Sequence, residues 1–519
     1  VYQFLLTHRY LTSKVMPLLA ALAVALCTAM VIIVWSVMGG FLVMLINSGR
    51  TLVGDVTVSW PITGFAHYEE LIKRLEADPD VAAATPTIET YGLIGLPDGR
   101  TETVMIKGVD GPSYTKVTDF AETLHWKPIN SPHAKDTFSE DPRLANHTLW
   151  NFVFEGGKRL VRFEKPERGN VAAEKPAAVL GISVSGFNIR EQWGFYPGQA
   201  RARQPDGTLK PVQTILPVDG NVTINVLPMD SKGRAVDMVA RSFPVANEFH
   251  SGLYEIDHKT VFVPLASLQD MLKMNRATKV ATGTGVAINE KGEEIFTAPT
   301  VIGEDPARVT NVLVRGKTQS FESAAADKLA DKVGLIYRQF AKDFEGQVPP
   351  STSIRILTWE DQNRTMINAV RKETALVLFI FSFVSMTAVF LVLAIFWAMV
   401  SEKTKDIGIL RAIGASRTGV AGTWLLYGAA IGLLGAVVGF AIAYGVVTNI
   451  NAIHEWLGEK LGLYIWDPKV YYFSRIPSSL NATHVTIVLA GGVLASCIGA
   501  LWPALRAARM SPVRALRFE

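Results

Sequence analysis

The sequence predicts an α-helical membrane protein with four transmembrane helices and a large mixed α/β extracytoplasmic domain inserted between helices 1 and 2. Three observations carry that prediction. The 519 residues are 49% hydrophobic and 19% charged, with a mean hydropathy of +0.23, which fits a multi-domain chain with a membrane part and a large water-soluble part. Four stretches lack Asp, Glu, Lys and Arg for long enough to cross a bilayer, which takes about 20 apolar residues. The basic residues flanking those stretches are unevenly shared between the two sides.

The first charge-free stretch lies between Lys14 and Arg50. A signal-peptide core runs to only about 7–15 residues, so this one is expected to be a retained anchor. The others lie between Glu373 and Glu402, Arg417 and Glu455, and Arg475 and Arg506. The expected organisation is an N-terminal segment and first helix over 1–50, an outer domain over 51–370 and a second helix over 371–401. A short connecting helix over 402–417 and a third helix over 418–452 follow. A short outer loop over 453–483, a fourth helix over 484–505 and a tail over 506–519 complete the chain. Cys27 and Cys497 both fall inside apolar runs without metal-site spacing, so the outer domain is expected to fold without disulfides.

The outer stretch reads as mixed α and β. DVTVSW (55–60) and TVMIKGVD (103–110) alternate like strands, and HYEELIKRLEADPDV (67–81) has helical spacing. Near the far end RVTNVLVRGK (308–317) and STSIRILTW (351–359) are strands flanking a helix, FESAAADKLADKV (321–333). These two α/β pieces, 51–115 and 305–360, are expected to pack together. Between them they hold a β-rich part, 175–275, built from AAVLGISVSG (177–186), NVTINVLP (221–228) and KTVFVPLASLQDML (259–272). Residues 115–175 and 280–305, richer in Pro, Gly, Asn and charge, read as long loops or small additions.

Orientation follows from the short flanks. His8, Arg9 and Lys14 precede the first span without an acid. Lys403, Lys405, Arg411 and Arg417 stand between spans two and three, and Arg506, Arg509, Arg514 and Arg517 follow span four. The loop between spans three and four balances Glu455, Glu459 and Asp467 with Lys460, Lys469 and Arg475. The basic flanks, and with them both termini, are expected in the cytoplasm.

Several chemistries are missing. The nearest approach to a phosphate-binding GxxxxGK[ST] is NVLVRGKT (311–318), with Asn311 where the first Gly should stand; it reads instead as a strand ending in a turn. There is no HExxH, GxSxG or CxxC, and His250, His258 and the other histidines lack ligand spacing. The spans contain almost no ionisable side chains, which an ion-coupled transporter would bury. A net charge of +4 is too small to imply nucleic acid. The chain is expected to be non-catalytic, to bind no metal or cofactor, and to take its energy from a partner.

The stretch SEKTKDIGILRAIGAS (401–416) is the most patterned part of the cytoplasmic side. As a helix it puts Ile409, Leu410 and Ile413 on one side, able to dip into the membrane interface, and Gly408, Arg411, Ala412 and Ala415 roughly opposite. Asp406, with Glu402, suits the positive end of its dipole. Small residues and Arg411 would let a partner approach; the same pattern also fits an ordinary interfacial turn.

KTKDIGILRAIGAS resembles the coupling-helix signature of ABC-transporter permeases of the MacB/LolC/LolE/FtsX superfamily, and PALRAARMSPVRALRFE (503–519) resembles their ending. RYLTSK with SVMGGF (9–14 and 36–41) and FHSGLYEIDHKTVFVPLASLQDML (249–272) are similar to the LolC/LolE lipoprotein-releasing branch. The family's SVMNGF stands here as SVMGGF, with Gly39 in place of Asn. The resemblance implies a half-transporter of the bacterial inner membrane that dimerises with a second permease subunit. Lys403, Lys405, Asp406, Ile407, Gly408, Leu410, Arg411 and Gly414 would couple it to a LolD-like cytoplasmic ATPase, which carries the ATP and Mg. By mechanotransmission the system would extract lipoproteins from the outer leaflet for a periplasmic carrier. Met38, Phe41, Leu42 and Leu45 of span one, with Phe379, Phe383, Met386 and Phe390 of span two, would line an acyl-chain cavity. A MacB-like exporter and an FtsX-like relay to cell-wall hydrolases are the competing implications.

Overall fold

In the computed structural model the described residues are 15–97, 99–126, 147–163, 174–184, 201–203, 209–211, 220–229, 234–280, 286–288, 294–296, 301–317, 323–463 and 476–516. The flank residues His8, Arg9, Lys14, Asp467, Lys469, Arg475 and Arg517, and most of 127–173, lie outside them. The chain divides into two units, Val1–Leu45 with Thr365–Glu519 and Ile46–Arg364. It runs through α1 (Val15–Arg50), β1 (Val56–Ser59), α2 (Tyr68–Glu76), β2 (Val81–Gly95), β3 (Thr101–Val109), β4 (Ala178–Gly181) and β5 (Asn221–Val226). Next come β6 (Val239–Phe249), β7 (Thr260–Pro264), β8 (Asn311–Gly316), α3 (Ser323–Asp343), β9 (Arg355–Thr358) and α4 (Arg364–Glu402). The last helices are α5 (Thr404–Ala412), α6 (Arg417–Thr448), α7 (Ile450–Leu461), α8 (Ala482–Arg509) and α9 (Pro512–Leu516).

The unit Ile46–Arg364 is organised by β2, whose 15 residues serve two sets of neighbours. Its first half pairs antiparallel with β8, as in Val312↔Pro86 and Val314↔Ala84, and β1 and β9 follow beyond β8. Leu71 and Leu75 of α2, with Leu329, Val333, Tyr337 and Phe340 of α3, belong to the core on this side. The second half of β2 pairs with β3, which lies parallel to β7; β7 runs antiparallel to β4, β4 parallel to β6, and β6 antiparallel to β5. β5 then returns to β2 through Thr223↔Gly95 to Val226↔Gly92, so six strands close a ring. A closed ring leaves no unpaired edge.

The alternation in the sequence explains which residues fill that ring. Val222, Ile224 and Val226 of β5, Phe243 and Val245 of β6, and Val104 and Ile106 of β3 are buried in one cluster with Leu180, Val261 and Val263. The opposite parity, Val179 and Phe262, packs outward onto Tyr114, Phe120 and Phe249. Where β5 meets β2, a Cβ on Gly92 would stand 2.4 Å from the Asn225 carbonyl oxygen and 2.5 Å from Ile106 Cδ1, so only glycine fits the closure. The strands of 175–275 therefore make no sheet of their own, as a separate β-rich part would. Two strands of the first α/β piece, β2 and β3, are needed to complete their ring.

In the other unit, among the described residues, four helices are long and apolar enough to cross a membrane: Met16–Ile46, Arg364–Glu402, Arg417–Thr448 and Ala482–Arg509. Small residues bring them together, since apolar helices in lipid gain little from hydrophobicity alone and associate through close packing. On α6, Gly435 and Gly439 lie against Ala21, Val24, Ala25 and Thr28 of α1, and Gly428 and Gly432 lie against Ser496 and Ala500 of α8. Ser496 Oγ donates to the Gly428 carbonyl at 2.8 Å. Phe396, Trp424, Tyr427 and Ile431 fill the space between α4, α6 and α8. Ser416 and Asn481 cap the N-termini of α6 and α8, accepting from Gly419 N at 3.0 Å and Thr483 N at 2.9 Å.

The region read as a short outer loop contains the helix α7, which ends at Gly462 with φ 66°. Asn451 holds the returning chain: its Oδ1 accepts from Ile476 N at 2.9 Å and its Nδ2 donates to Ile476 O at 3.3 Å.

Candidate functional site

The segment 401–416 is built as a rigid corner. α4 runs straight through Glu402, Lys403 serves as N-cap of α5, and Ser416 caps α6, so only a few residues separate three helices. Asp406 sits in the first turn of α5, as its charge favours, and accepts from Lys403 Nζ at 2.8 Å. The helix ends in a Schellman motif: Ala415 N donates to Leu410 O at 3.0 Å and Gly414 N to Arg411 O at 3.3 Å. Gly414 takes φ 107°, which requires glycine there.

The packing turns Gly408 and Arg411 of the expected partner face inward, and leaves Ala412 of that face and Ile409 and Ile413 of the other exposed. Thr404, Ile407 and Gly408 are buried and Arg411 is half-buried. Ile407 belongs to a cluster with Val400, Val420, Ala504 and Ala507, against which Ala415 and Met510 also pack. The tail helix α9 packs on α5 as well. Arg411 does not reach outward: its Nη1 donates to Ala415 O at 3.0 Å, and its Nε is buried without a hydrogen-bond partner. The accessible edge is Lys405, Ile409, Ala412, Ile413 and Gly414, with Ile409 48% and Ile413 80% exposed. Leu410 is half-buried. Sequence spacing missed this because it cannot show that the chain's own end covers one side.

The eight residues read as an acyl-chain lining fall into two environments. Phe379, Phe383, Met386 and Phe390 share an exposed face of α4, where the Phe379 and Phe383 rings meet edge-on at 5.1 Å. Met38, Phe41 and Leu42 are half-buried on α1, and Leu45 is buried. The cavity that the helices do enclose, between α1, α4 and α8, is lined by other residues. In SVMGGF it is Gly40 rather than Gly39 that is sterically required: a Cβ there would meet the Ser478 backbone at 2.6 Å, while one on Gly39 meets nothing.

In the unit Ile46–Arg364, His250 and His258 have structural partners. His250 Nδ1 lies 2.7 Å from Asp257 Oδ2, and His258 Nδ1 lies 2.9 Å from Ser183 O. The buried Asp257 also accepts from Ser251 N at 2.7 Å, Ser251 Oγ at 2.8 Å and Gly252 N at 3.2 Å, fixing the turn between β6 and the short helix Tyr254–Lys259 that precedes β7. The near-match to a phosphate loop is the strand β8, and Gly316 N already donates to Asp55 Oδ2 at 2.9 Å; Thr318 lies outside the described residues. Among the described residues no group of three or more His, Cys, Asp or Glu could hold a metal ion.

Residues 378–512 match the family described as FtsX-like permease C-terminal. The chain is similar to the lipoprotein-releasing system transmembrane protein LolC of Neisseria meningitidis serogroup B, 26% identical over 167 residues, which is 32% of this chain and 40% of that protein. It is similar to the ABC transporter permease YtrF of Bacillus subtilis, 39% identical over 121 residues, 23% of this chain and 27% of that protein. These alignments span two fifths or less of the relatives' length. A solved structure of the periplasmic region of MacB from Actinobacillus actinomycetemcomitans aligns with 62% of this chain and 98% of that one, at 9% identity and a TM-score of 0.28.

Proposed function

We propose that this chain, whose residues 378–512 carry the FtsX-like permease match, is the non-catalytic permease subunit of an ABC transporter. A cytoplasmic ATPase that binds ATP and Mg docks on α5. The cycle extracts lipoproteins from the outer leaflet of the bacterial inner membrane for a soluble periplasmic carrier. The observation that carries the ATPase part is the corner itself. α5 is seated on its own bundle by Thr404, Ile407 and Gly408 and closed at both ends by Lys403–Asp406 and the Gly414 motif. It presents an apolar edge, Ile409 and Ile413, beside Lys405. A helix held this way moves with α4 and α6 rather than independently, so force applied to its exposed edge reaches both spans. Lys403, Asp406, Ile407, Gly408, Leu410, Arg411 and Gly414 shape the element, and Lys405, Ile409 and Ile413 touch the partner.

The basic flanks support a cytoplasmic position for α5 and both termini. Similarity to LolC supports lipoprotein as the cargo. The exposed aromatic face of α4 suits either acyl chains or a second permease subunit.

Reconstitution in proteoliposomes with the cognate ATPase and an acylated lipoprotein tests this. ATP is expected to release the lipoprotein to a soluble carrier, and Ile413→Asp to abolish release in a protein that still folds. Normal ATP turnover with no lipoprotein leaving the membrane would shift the reading to a MacB-like exporter, or to an FtsX-like relay.

A further inference from the structure

Between α1, α4 and α8 lies a cavity of about 220 Å³. Four of its lining residues are polar by name, Cys27, Thr28, Ser385 and Ser496, and none is charged. Their donors are largely committed. Thr28 Oγ1 donates to Val24 O at 2.9 Å, Ser496 Oγ to Gly428 O at 2.8 Å, and Cys27 Sγ to Ser385 Oγ at 3.4 Å. The Ser385 hydroxyl is left as the donor on the wall. An ion finds no ligand set there. A buried water needs two to four polar partners, while apolar cavities of about 150 Å³ stay dry and accept hydrocarbon. The chemistry of the wall therefore selects an apolar occupant.

Among the lining residues Gly491 of α8 is the exposed one, and an added Cβ there would meet nothing within 4 Å, so the way in from outside is taken to run past it. α8 is one of the four helices apolar enough to cross a membrane, so what stands outside Gly491 is hydrocarbon. A bilayer presents acyl chains at high concentration, and mass action fills even a weak site. We infer that this cavity binds one acyl chain of a membrane phospholipid, inserted past Gly491 and packed against α1, α4 and α8. The site is separate from the exposed phenylalanine face of α4 and needs only that these helices span a membrane, whatever the cargo.

The test uses the whole chain in nanodiscs of phosphatidylethanolamine and phosphatidylglycerol, doped with a phosphatidylethanolamine carrying a diazirine on one acyl chain. After photolysis, labelled residues are mapped by mass spectrometry. Labels are expected on the cavity wall, including Val24, Cys27 and Ser385. Gly491→Phe, which adds bulk at the exposed residue of the wall where an added Cβ meets nothing within 4 Å, is expected to reduce them about tenfold, as when occupancy falls from near full to about a tenth. Labelling of Phe379 and Phe390 should not change. Ala388→Phe fills the cavity from α4 and serves if Gly491→Phe does not fold, with the melting midpoint as the check. Wall labelling no stronger than that of the exposed α4 face, or unchanged in both folded variants, overturns the inference. Wall labelling seen only with a diazirine on the acyl chain of an added lipoprotein also overturns it, since the occupant would then be cargo.

Discussion

The exposed edge of α5 supports a prediction that separates docking from packing. Ile413 is 80% exposed, and Ile407, earlier on the same short segment, is 2% exposed. Burying an isoleucine side chain contributes about 1.5–3 kcal/mol, so most of that is available at Ile413 when a partner covers it. A carboxylate in its place would also have to lose water without a counter-charge. Ile413→Asp should thus weaken ATPase binding by at least about 2 kcal/mol, roughly 30-fold in Kd, without moving the melting midpoint of the helical unit. Ile407→Ala should behave differently, lowering stability by about 2–5 kcal/mol as a cavity opens beneath the helix. Titrating the labelled ATPase against the permease in nanodiscs, with a melting curve for each variant, reads both effects. A Kd within twofold of the parent for Ile413→Asp would refute docking on this edge and place Ile413 among lipid headgroups.

Other substitutions test the supports of the two units. Gly414→Val forces a β-branched residue to φ 107° and should cost about 1–2 kcal/mol, seen as a lower melting midpoint, while Gly414→Asn costs less. Asp257→Ala strands the Ser251 and Gly252 amides, at about 1–3 kcal/mol for each group left unpaired, and should remove their protection in hydrogen exchange; unchanged protection would refute the bonding described. Burial pushes the phenols of Tyr114 and Tyr337 above their ordinary value. Above about pH 10 the unfolded chain loses these protons and the folded chain keeps them, so stability is level below pH 10 and falls above it. The slope is about 1.4 kcal/mol per pH unit for each tyrosine. Urea unfolding of the unit Ile46–Arg364 at several alkaline pH values checks this, and Tyr337→Phe should remove one tyrosine's share of the slope.

Where the sequence was legible, the signal was local. Charge-free runs marked all four long helices, although α4 begins at Arg364, before the charge-free window opens at Glu373. Alternation marked β5, β7 and β8, and Gly414 and Ser416 are recognisable stop and start residues. α7 was overlooked although Ile450, Ile453, Leu457 and Leu461 recur at helical spacing before Gly462.

By itself, the sequence determined how many helices could cross a membrane, the mixed α/β character of the large domain and the place of the short helix between two long apolar ones. Each of these follows from residues within a few turns of one another, where period, capping and hydropathy act. The tertiary structure decided the rest. β5 meets β2 only because residues 223–226 and 92–95, far apart in the chain, close a ring that no local pattern announces. The cavity is lined jointly by residues 24–31 of α1, 385–392 of α4 and 488–496 of α8, which lie far apart in the chain. Which side of α5 is accessible was decided by contacts with α9 and the bundle core: burial of Ile407 and Gly408 left Ile409 and Ile413 outside. A helical period gives two faces but does not say which one the rest of the chain will cover, because that depends on long-range contacts.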